Sequence, residues 1–221
     1  MRVVVLSKAD GFCKSAQSVV RLHWPDAECA DGAVGDQRPA CLERAGDILI
    51  SFLSPWIVTR AELARFRTAI NFHPASTDYP GSGCYNFALY DEAPEYGATC
   101  HHMLPKVDTG DVILERRFPV KASDSVETLK LATMETMLGM FRDICALLAE
   151  GHPLPRADRS WSRKPYTFKE MNALKRLTDD MTPDEIKRRV RATVYPGYDG
   201  PYYDRDGVIE RLPVPQRAPL A

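Results

Sequence analysis

With 221 residues, 44% of them hydrophobic, the chain is long enough to bury a core of its own, and one main domain is expected. Its 29 basic and 30 acidic residues leave a formal net charge of −1, so it lacks the global positive field that holds a nucleic acid, and no nucleic-acid partner is expected. The apolar run Met1 to Leu6 turns polar at Ser7 and Lys8, too short for a signal peptide or membrane span; a cytoplasmic protein with no membrane partner is expected.

Along the chain, short apolar runs alternate with amphipathic stretches, the pattern of an α/β fold with a mostly parallel sheet. Arg2 to Leu6 predicts the first strand. Asp47 to Leu53 predicts a second, buried on both faces, and Ala69 to His73 a third. Thr59 and Glu62 form a capping-box signature that opens a helix between the last two. Gly97 to Leu104 and Asp111 to Val120 predict two more strands, joined by the turn-rich segment Pro105 to Gly110.

A long helix is predicted from Ser125 to Glu150, where Val126, Leu129, Met137, Phe141, Ile144 and Leu148 recur near a 3.6-residue period and Gly151 closes the end. Its methionines are expected in the core. Thr182, Pro183 and Glu185 open a short basic helix. Tyrosines 195, 198, 202 and 203 follow, and Asp206-Gly207 signals a hairpin turn. The six cysteines contain no C-x-x-C pair and are expected as reduced core residues.

Two segments concentrate chemistry. Asn71 and His73 end a predicted strand, where open parallel sheets present ligand-binding groups, and strand alternation puts both on one face with Phe72 turned into packing. A carboxamide donor beside an imidazole suits acyl transfer: the developing oxyanion needs a fixed donor, and the attacking amine must lose a proton. The second segment holds Gly97, Thr99, His101 and His102, then Asp108 and Gly110; the adjacent histidines must face opposite ways, so only one reaches a site. By residue type alone, Asp108 reads equally as a turn residue, and His73, His101 and Asp108 as ligands of a divalent metal in a hydrolase, though no H-x-x-x-H or H-E-x-x-H spacing is present. Two cationic pairs suit phosphate: Lys8 and Lys14, flanking Asp10, Gly11 and Phe12 in the loop after the first strand, and Arg163 with Lys164. The loop is not a dinucleotide fingerprint.

The strand end Asn71 to Pro74, the strand Gly97 to His101 and the loop Asp108 to Gly110 together resemble the N-x-H-P, G-x-T-x-H and D-x-G elements of the N10-formyltetrahydrofolate-dependent formyltransferases. The resemblance implies a Rossmann-like formyltransferase fold over residues 1–178, with 179–221 a C-terminal helix and β-hairpin extension that serves dimerisation. It makes Asn71 the oxyanion donor, His73 the catalytic imidazole, Asp108 the loop carboxylate and His101 an auxiliary group. The folate would lie against Phe52, Leu53, Ser54, Trp56 and Ile57 and against His101, Val107 and Gly110, with no metal required.

Where the tRNA and glycinamide ribonucleotide branches continue N-x-H-P-S with L-L-P, this chain reads Ala75 to Gly83 without that triplet. Cys84 to Tyr90 and Trp161 to Pro165 are more similar to the sugar N-formyltransferase branch, which adds Gly83 and Tyr85 to the candidate acceptor contacts. A tRNA enzyme would also need an RNA-binding domain, and 179–221 carries no strong basic excess. The branch implies a homodimer acting on a dTDP- or GDP-linked 3- or 4-amino dideoxyhexose, a precursor for O-antigen. A folate-dependent deformylase, a formyltransferase for another small amine such as glycinamide ribonucleotide, and a silent binding module are the alternatives.

Overall fold

The computed structural model describes residues 1–215; of the extension predicted over 179–221, residues 216–221 lie outside the described residues. Among the described residues, nine strands and six α-helices follow one another as β1 (Val3–Lys8), α1 (Gly11–His23), β2 (Glu28–Gly32), β3 (Gly46–Phe52), α2 (Arg60–Leu63), β4 (Phe66–His73), α3 (Cys84–Tyr90), β5 (Glu95–His102), β6 (Val112–Pro119), α4 (Val126–Ala149), α5 (Phe168–Leu174), β7 (Arg176–Leu177), α6 (Pro183–Thr193), β8 (Tyr202–Arg205) and β9 (Val208–Arg211). Six of the strands make the main sheet in the order β2-β1-β3-β4-β5-β6. The pairs from β2 through β4 are parallel, whereas β5 runs antiparallel to both neighbours, so the sheet is mostly parallel as expected.

Both faces of the sheet are covered, which explains the unbroken apolar runs in β1 and β3. Val3, Val5, Ile48 and Ile50 pack on one side with α1 and α4, where Met134, Met137, Met140, Phe141 and Ile144 of the long helix are buried. The methionine stripe is therefore core. Val4, Leu6, Leu49, Leu42, Val58 and Phe66 pack on the other side. A third cluster joins α3, β5 and α6 through Phe87, Leu89, Tyr96 and Ala192.

Two caps fall where the sequence puts them, Thr59 with Glu62 and Thr182 accepting from the Glu185 amide, and Ser125 with Thr128 closes a further capping box at the start of α4. All six cysteines are free and four are buried. Burial, with Asp10 nearby, pushes the Cys13 thiol up to about 12, and burial takes Cys84 to about 11, which keeps both as neutral thiols.

The segment after β1 is a helix start: Asp10 caps α1 by accepting the Cys13 N–H (2.9 Å), so a carboxylate occupies the helix N-terminus and Gly11, Phe12 and Lys14 belong to the helix. The tyrosine-rich tail is not one hairpin. Only Tyr202–Arg211 pairs as a hairpin, with β7 added parallel to β8, while Tyr195 and Tyr198 precede it and stack on each other at 5.0 Å.

Candidate functional site

β4 delivers Asn71 and His73 to the same face at its C-terminal end. Phe72 between them is 1% exposed and packs with Phe52 (5.9 Å) and Phe141 (4.9 Å). β5 places His101 directly opposite Asn71, next to a register shift at Cys100/His101. As alternation requires, His101 is buried and His102 exposed. Asp108 arrives from the β5–β6 connection with a left-handed backbone (φ 48°), a conformation Asp tolerates better than most residues, and its side chain turns inward.

Asp108 ties these groups together. Its Oδ2 accepts the Gly81 N–H (2.8 Å) and lies 3.3 Å from His73 Nδ1; its Oδ1 lies 3.3 Å from His101 Nε2. Burial alone would raise the carboxyl, but the charge of His73, the hydrogen bond and charge of His101 and the Gly81 amide outweigh it and hold the group at about 2. It is an anion throughout the neutral range. Because the folded value lies below the unfolded one, its contribution to stability is full above the ordinary carboxylate range of about 4 and is lost as pH falls towards about 2.

The histidine protons follow from their partners. His73 Nε2 faces the Tyr79 carbonyl (2.9 Å) and His101 Nδ1 the His102 carbonyl (2.8 Å); a carbonyl only accepts, so both nitrogens carry hydrogen. The other nitrogen of each ring faces Asp108. The Asn71 amide lies 3.1 Å from His101 Nε2 as well. A neutral His101 accepts from Asn71, whereas a protonated one donates to Asp108 and leaves the amide free to donate elsewhere.

Further groups, some of them in the segments named above, hold this cluster. The Tyr79 carbonyl belongs to a loop pinned by Glu115, buried, which accepts from the Thr77 N–H (2.8 Å) and hydroxyl (3.1 Å). The Thr99 hydroxyl donates to the Ala75 carbonyl (2.8 Å) and the Tyr96 hydroxyl to that of Pro74 (2.9 Å). Trp161 lays its ring edge-on to His101 (5.0 Å, 90°) and donates its indole N–H to the Gly110 carbonyl (2.9 Å). A Cβ at Gly110 would come within 1.8 Å of the His102 carbonyl oxygen. Gly110→Ala should therefore displace the Asp108 loop and lower the thermal midpoint by several degrees, read by calorimetry; an unchanged midpoint would mean that the close approach is relieved elsewhere.

The cluster lies on the wall of a cavity of about 510 Å³. Of the residues expected to meet the folate, Leu53, Ser54, Trp56, Ile57, His101 and Val107 line it. Phe52 does not: its side chain is fully buried in the core, because alternation along β3 turns it away, so it could meet a ligand only through its backbone. Gly110 is not in the lining and acts through its carbonyl. Around the cavity Ile57, Leu104, Val107 and Phe168 remain exposed, a set of apolar groups open to a partner surface.

A second cavity of about 250 Å³ adjoins the first, and the two share Lys8, Leu53 and Pro74. Of the expected acceptor contacts, Lys8 and Tyr85 line it. Gly11, Phe12, Lys14, Gly83, Arg163 and Lys164 line neither cavity. Gly83 caps α3, packed against Met171, and Arg163 stacks on Tyr166 (3.2 Å to the ring centroid) beside Glu170. Leu53, at the junction, holds a left-handed backbone (φ 58°) unusual for a bulky residue, and such strain concentrates at functional sites.

Residues 48–139 match the formyl transferase family. The phosphoribosylglycinamide formyltransferase of Haemophilus influenzae is 27% identical over 158 residues, covering 67% of this chain and 73% of that protein. A sugar N-formyltransferase from a Shewanella species superposes with a TM-score of 0.80 at 16% identity, over 99% of this chain and 98% of that one. An N-formyltransferase from Helicobacter canadensis, crystallised with folinic acid and dTDP-3-aminofucose, superposes with a TM-score of 0.67 at 16% identity, over 88% and 80%.

Proposed function

We propose that this chain, whose residues 48–139 match the formyl transferase family, is an enzyme that moves the formyl group of N10-formyltetrahydrofolate to the amine of a nucleotide-linked amino sugar. The observation that carries this reading is the Asn71, His73, His101 and Asp108 cluster on the wall of a largely apolar cavity, beside a smaller cavity lined with lysines. The fold shared with the Shewanella and Helicobacter enzymes over most of the chain supports the sugar acceptor.

The folate fits what lines the larger cavity: Leu53, Trp56, Ile57, Val107 and Phe168 offer apolar surface to its flat ring systems. It supplies the activated carbon, and the protein supplies position and charge. Asn71 donates to the formyl oxygen as the amine nitrogen bonds to the carbon and negative charge builds there. The buried Asp108 anion and the two imidazoles facing it receive the amine proton and pass it to the folate nitrogen as the old carbon–nitrogen bond breaks. Protonation of His101 also frees the Asn71 amide for the oxygen, which couples proton uptake to oxyanion binding.

A homodimer belongs to the same proposal. β9 is an edge strand that leaves Val208 and Ile209 exposed, so light scattering should give twice the chain mass; a monomer would remove this element.

The acceptor class is tested after exhaustive treatment with EDTA, using 3- and 4-amino dideoxyhexoses on dTDP, GDP or UDP against glycinamide ribonucleotide. One sugar nucleotide should be formylated fastest, with no metal added. Preference for glycinamide ribonucleotide would move the enzyme to that branch, and activity restored only by zinc or manganese would favour a metal hydrolase.

A further inference from the structure

Two loops orient the imidazoles and the carboxylate. The loop after β4 offers the Tyr79 carbonyl to His73 and the Gly81 N–H to Asp108, and the loop after β5 carries Asp108 itself. One later segment, residues 161–166, bonds to both. The Trp161 indole N–H donates to the Gly110 carbonyl (2.9 Å) and fixes the segment to the Asp108 loop. Its backbone goes to the loop after β4: the Ser162 N–H donates to the Thr77 carbonyl (3.2 Å), the Tyr166 N–H to the Pro80 carbonyl (2.8 Å), and the Ser82 N–H returns a bond to the Tyr166 carbonyl (2.9 Å). Gly81 permits this approach, since a Cβ there would lie 2.3 Å from the Tyr166 carbonyl oxygen.

Trp161 also meets the imidazoles themselves. Its ring stands at 90° to that of His101 with centroids 5.0 Å apart, and at 72° to that of His73 at 5.7 Å, both edge-to-face arrangements. Both histidines line the larger cavity, but Trp161 lines neither cavity, so it reaches the rings from outside the space open to ligands. The far end of the segment is held without the indole, because Tyr166 stacks on Phe87 (3.7 Å, 10°). Residues 161–166 also lie outside 48–139, the part of the chain that matches the formyl transferase family, so that match does not account for them.

We propose that Trp161 is a positioning residue for the proton transfer: its ring holds His101 and His73 facing Asp108, and its N–H keeps the Asp108 loop in register with the loop after β4. An imidazole relays a proton only while its nitrogen points at the partner group. Each ring here has one nitrogen on a backbone carbonyl, and that bond alone leaves the ring able to swing about it. A flat group packed at right angles stops the swing and keeps water from the side of the cluster that it covers. Because the indole touches no ligand space, its loss falls on the chemical step and not on binding. This rests on the formyl transfer proposed above.

Kinetics of Trp161→Ala and Trp161→Phe test it on the full chain, with folding checked by circular dichroism and Trp161→Leu replacing the alanine variant if that chain does not fold. The variant without an aromatic ring should lose about tenfold or more in kcat, with KM for N10-formyltetrahydrofolate and for the amino sugar nucleotide within about twofold of the parent. Trp161→Phe, which keeps a ring but not the N–H, should recover most of kcat. Nitrogen NMR of the imidazoles reads the same point without turnover: His101 and His73 should each show one fixed tautomer in the parent and averaged signals without the ring. Unchanged kcat and unchanged ring signals would overturn the proposal, as would a loss confined to KM. Equal losses in the phenylalanine and alanine variants would overturn the role of the ring. No turnover by the unaltered chain with any amine would overturn the formyl-transfer reading, and the ring signals would then decide alone whether Trp161 orients the imidazoles.

Discussion

Asn71→Ala is expected to lower kcat by about 10² to 10³, the usual cost of losing one oxyanion donor, with little change in folate affinity. The residue lies two positions before the end of β4 and is only partly buried, so its truncation removes a donor rather than a core contact. Asp108→Asn should cost about 10² to 10⁴. An amide there keeps the size of the side chain but removes the anion that faces both His73 Nδ1 and His101 Nε2 at 3.3 Å. It also removes a group whose ionisation falls at about 2, so the variant should lose less stability than the parent between about pH 4 and pH 2. Single-turnover rates and acid titrations by circular dichroism read the two effects separately. Near-normal turnover in both folded variants would remove this cluster from the chemistry.

The free amino sugar should react at least about a hundredfold more slowly, in kcat/KM, than its nucleotide conjugate. Binding energy from parts of a substrate remote from the reacting atom is used to position that atom, and here the remote part is the one with charge to offer. Lys130 and Lys175 line the second cavity and not the first, and Lys8 is common to both. Saturating nucleoside diphosphate added with the free sugar should not restore the rate, since the link between them does the positioning. Equal kcat/KM for the two acceptors would mean that the nucleotide plays no part.

The candidate cluster was legible because it is local. N-x-H-P at a strand end specifies which side chains share a face, and a period of two turns Phe72 into the core without knowledge of any partner strand. The same rule separated His101 from His102. The caps at Thr59 and Thr182 were legible for a similar reason, since each is complete within four residues. Less local features were not. α1 has a capping Asp10 and buried Cys13, Ala16, Val19 and Val20 at helical spacing, yet the glycine and lysines around its start read equally as a phosphate loop. β2 is mostly half-buried and short, with the polar Glu28 and Asp31, so it carries no apolar run to announce it.

Site groups contributed by backbone leave no mark in a sequence at all. The Tyr79 carbonyl and the Gly81 amide orient His73 and Asp108, and their side chains say nothing of it. Glu115 looks like any strand carboxylate until the Thr77 loop is seen folded over it. The lysines of the second cavity come from positions 8, 130 and 175, and only the packing of α4 and α5 beside the end of β1 makes them neighbours. Arg163 and Lys164, adjacent in sequence and attractive for that reason, line neither cavity. The tail tyrosines were conspicuous, but composition could not divide them between a hairpin and a cavity wall.

Formyl transfer itself is tested most directly by mixing the enzyme with isotopically labelled N10-formyltetrahydrofolate and the preferred amino sugar nucleotide and following the label by mass spectrometry. The label should appear on the sugar amine, with one tetrahydrofolate formed for each formyl group moved, and Asn71→Ala should slow both together. Label released as free formate at the same rate with and without the acceptor would contradict the account and make the enzyme a folate deformylase.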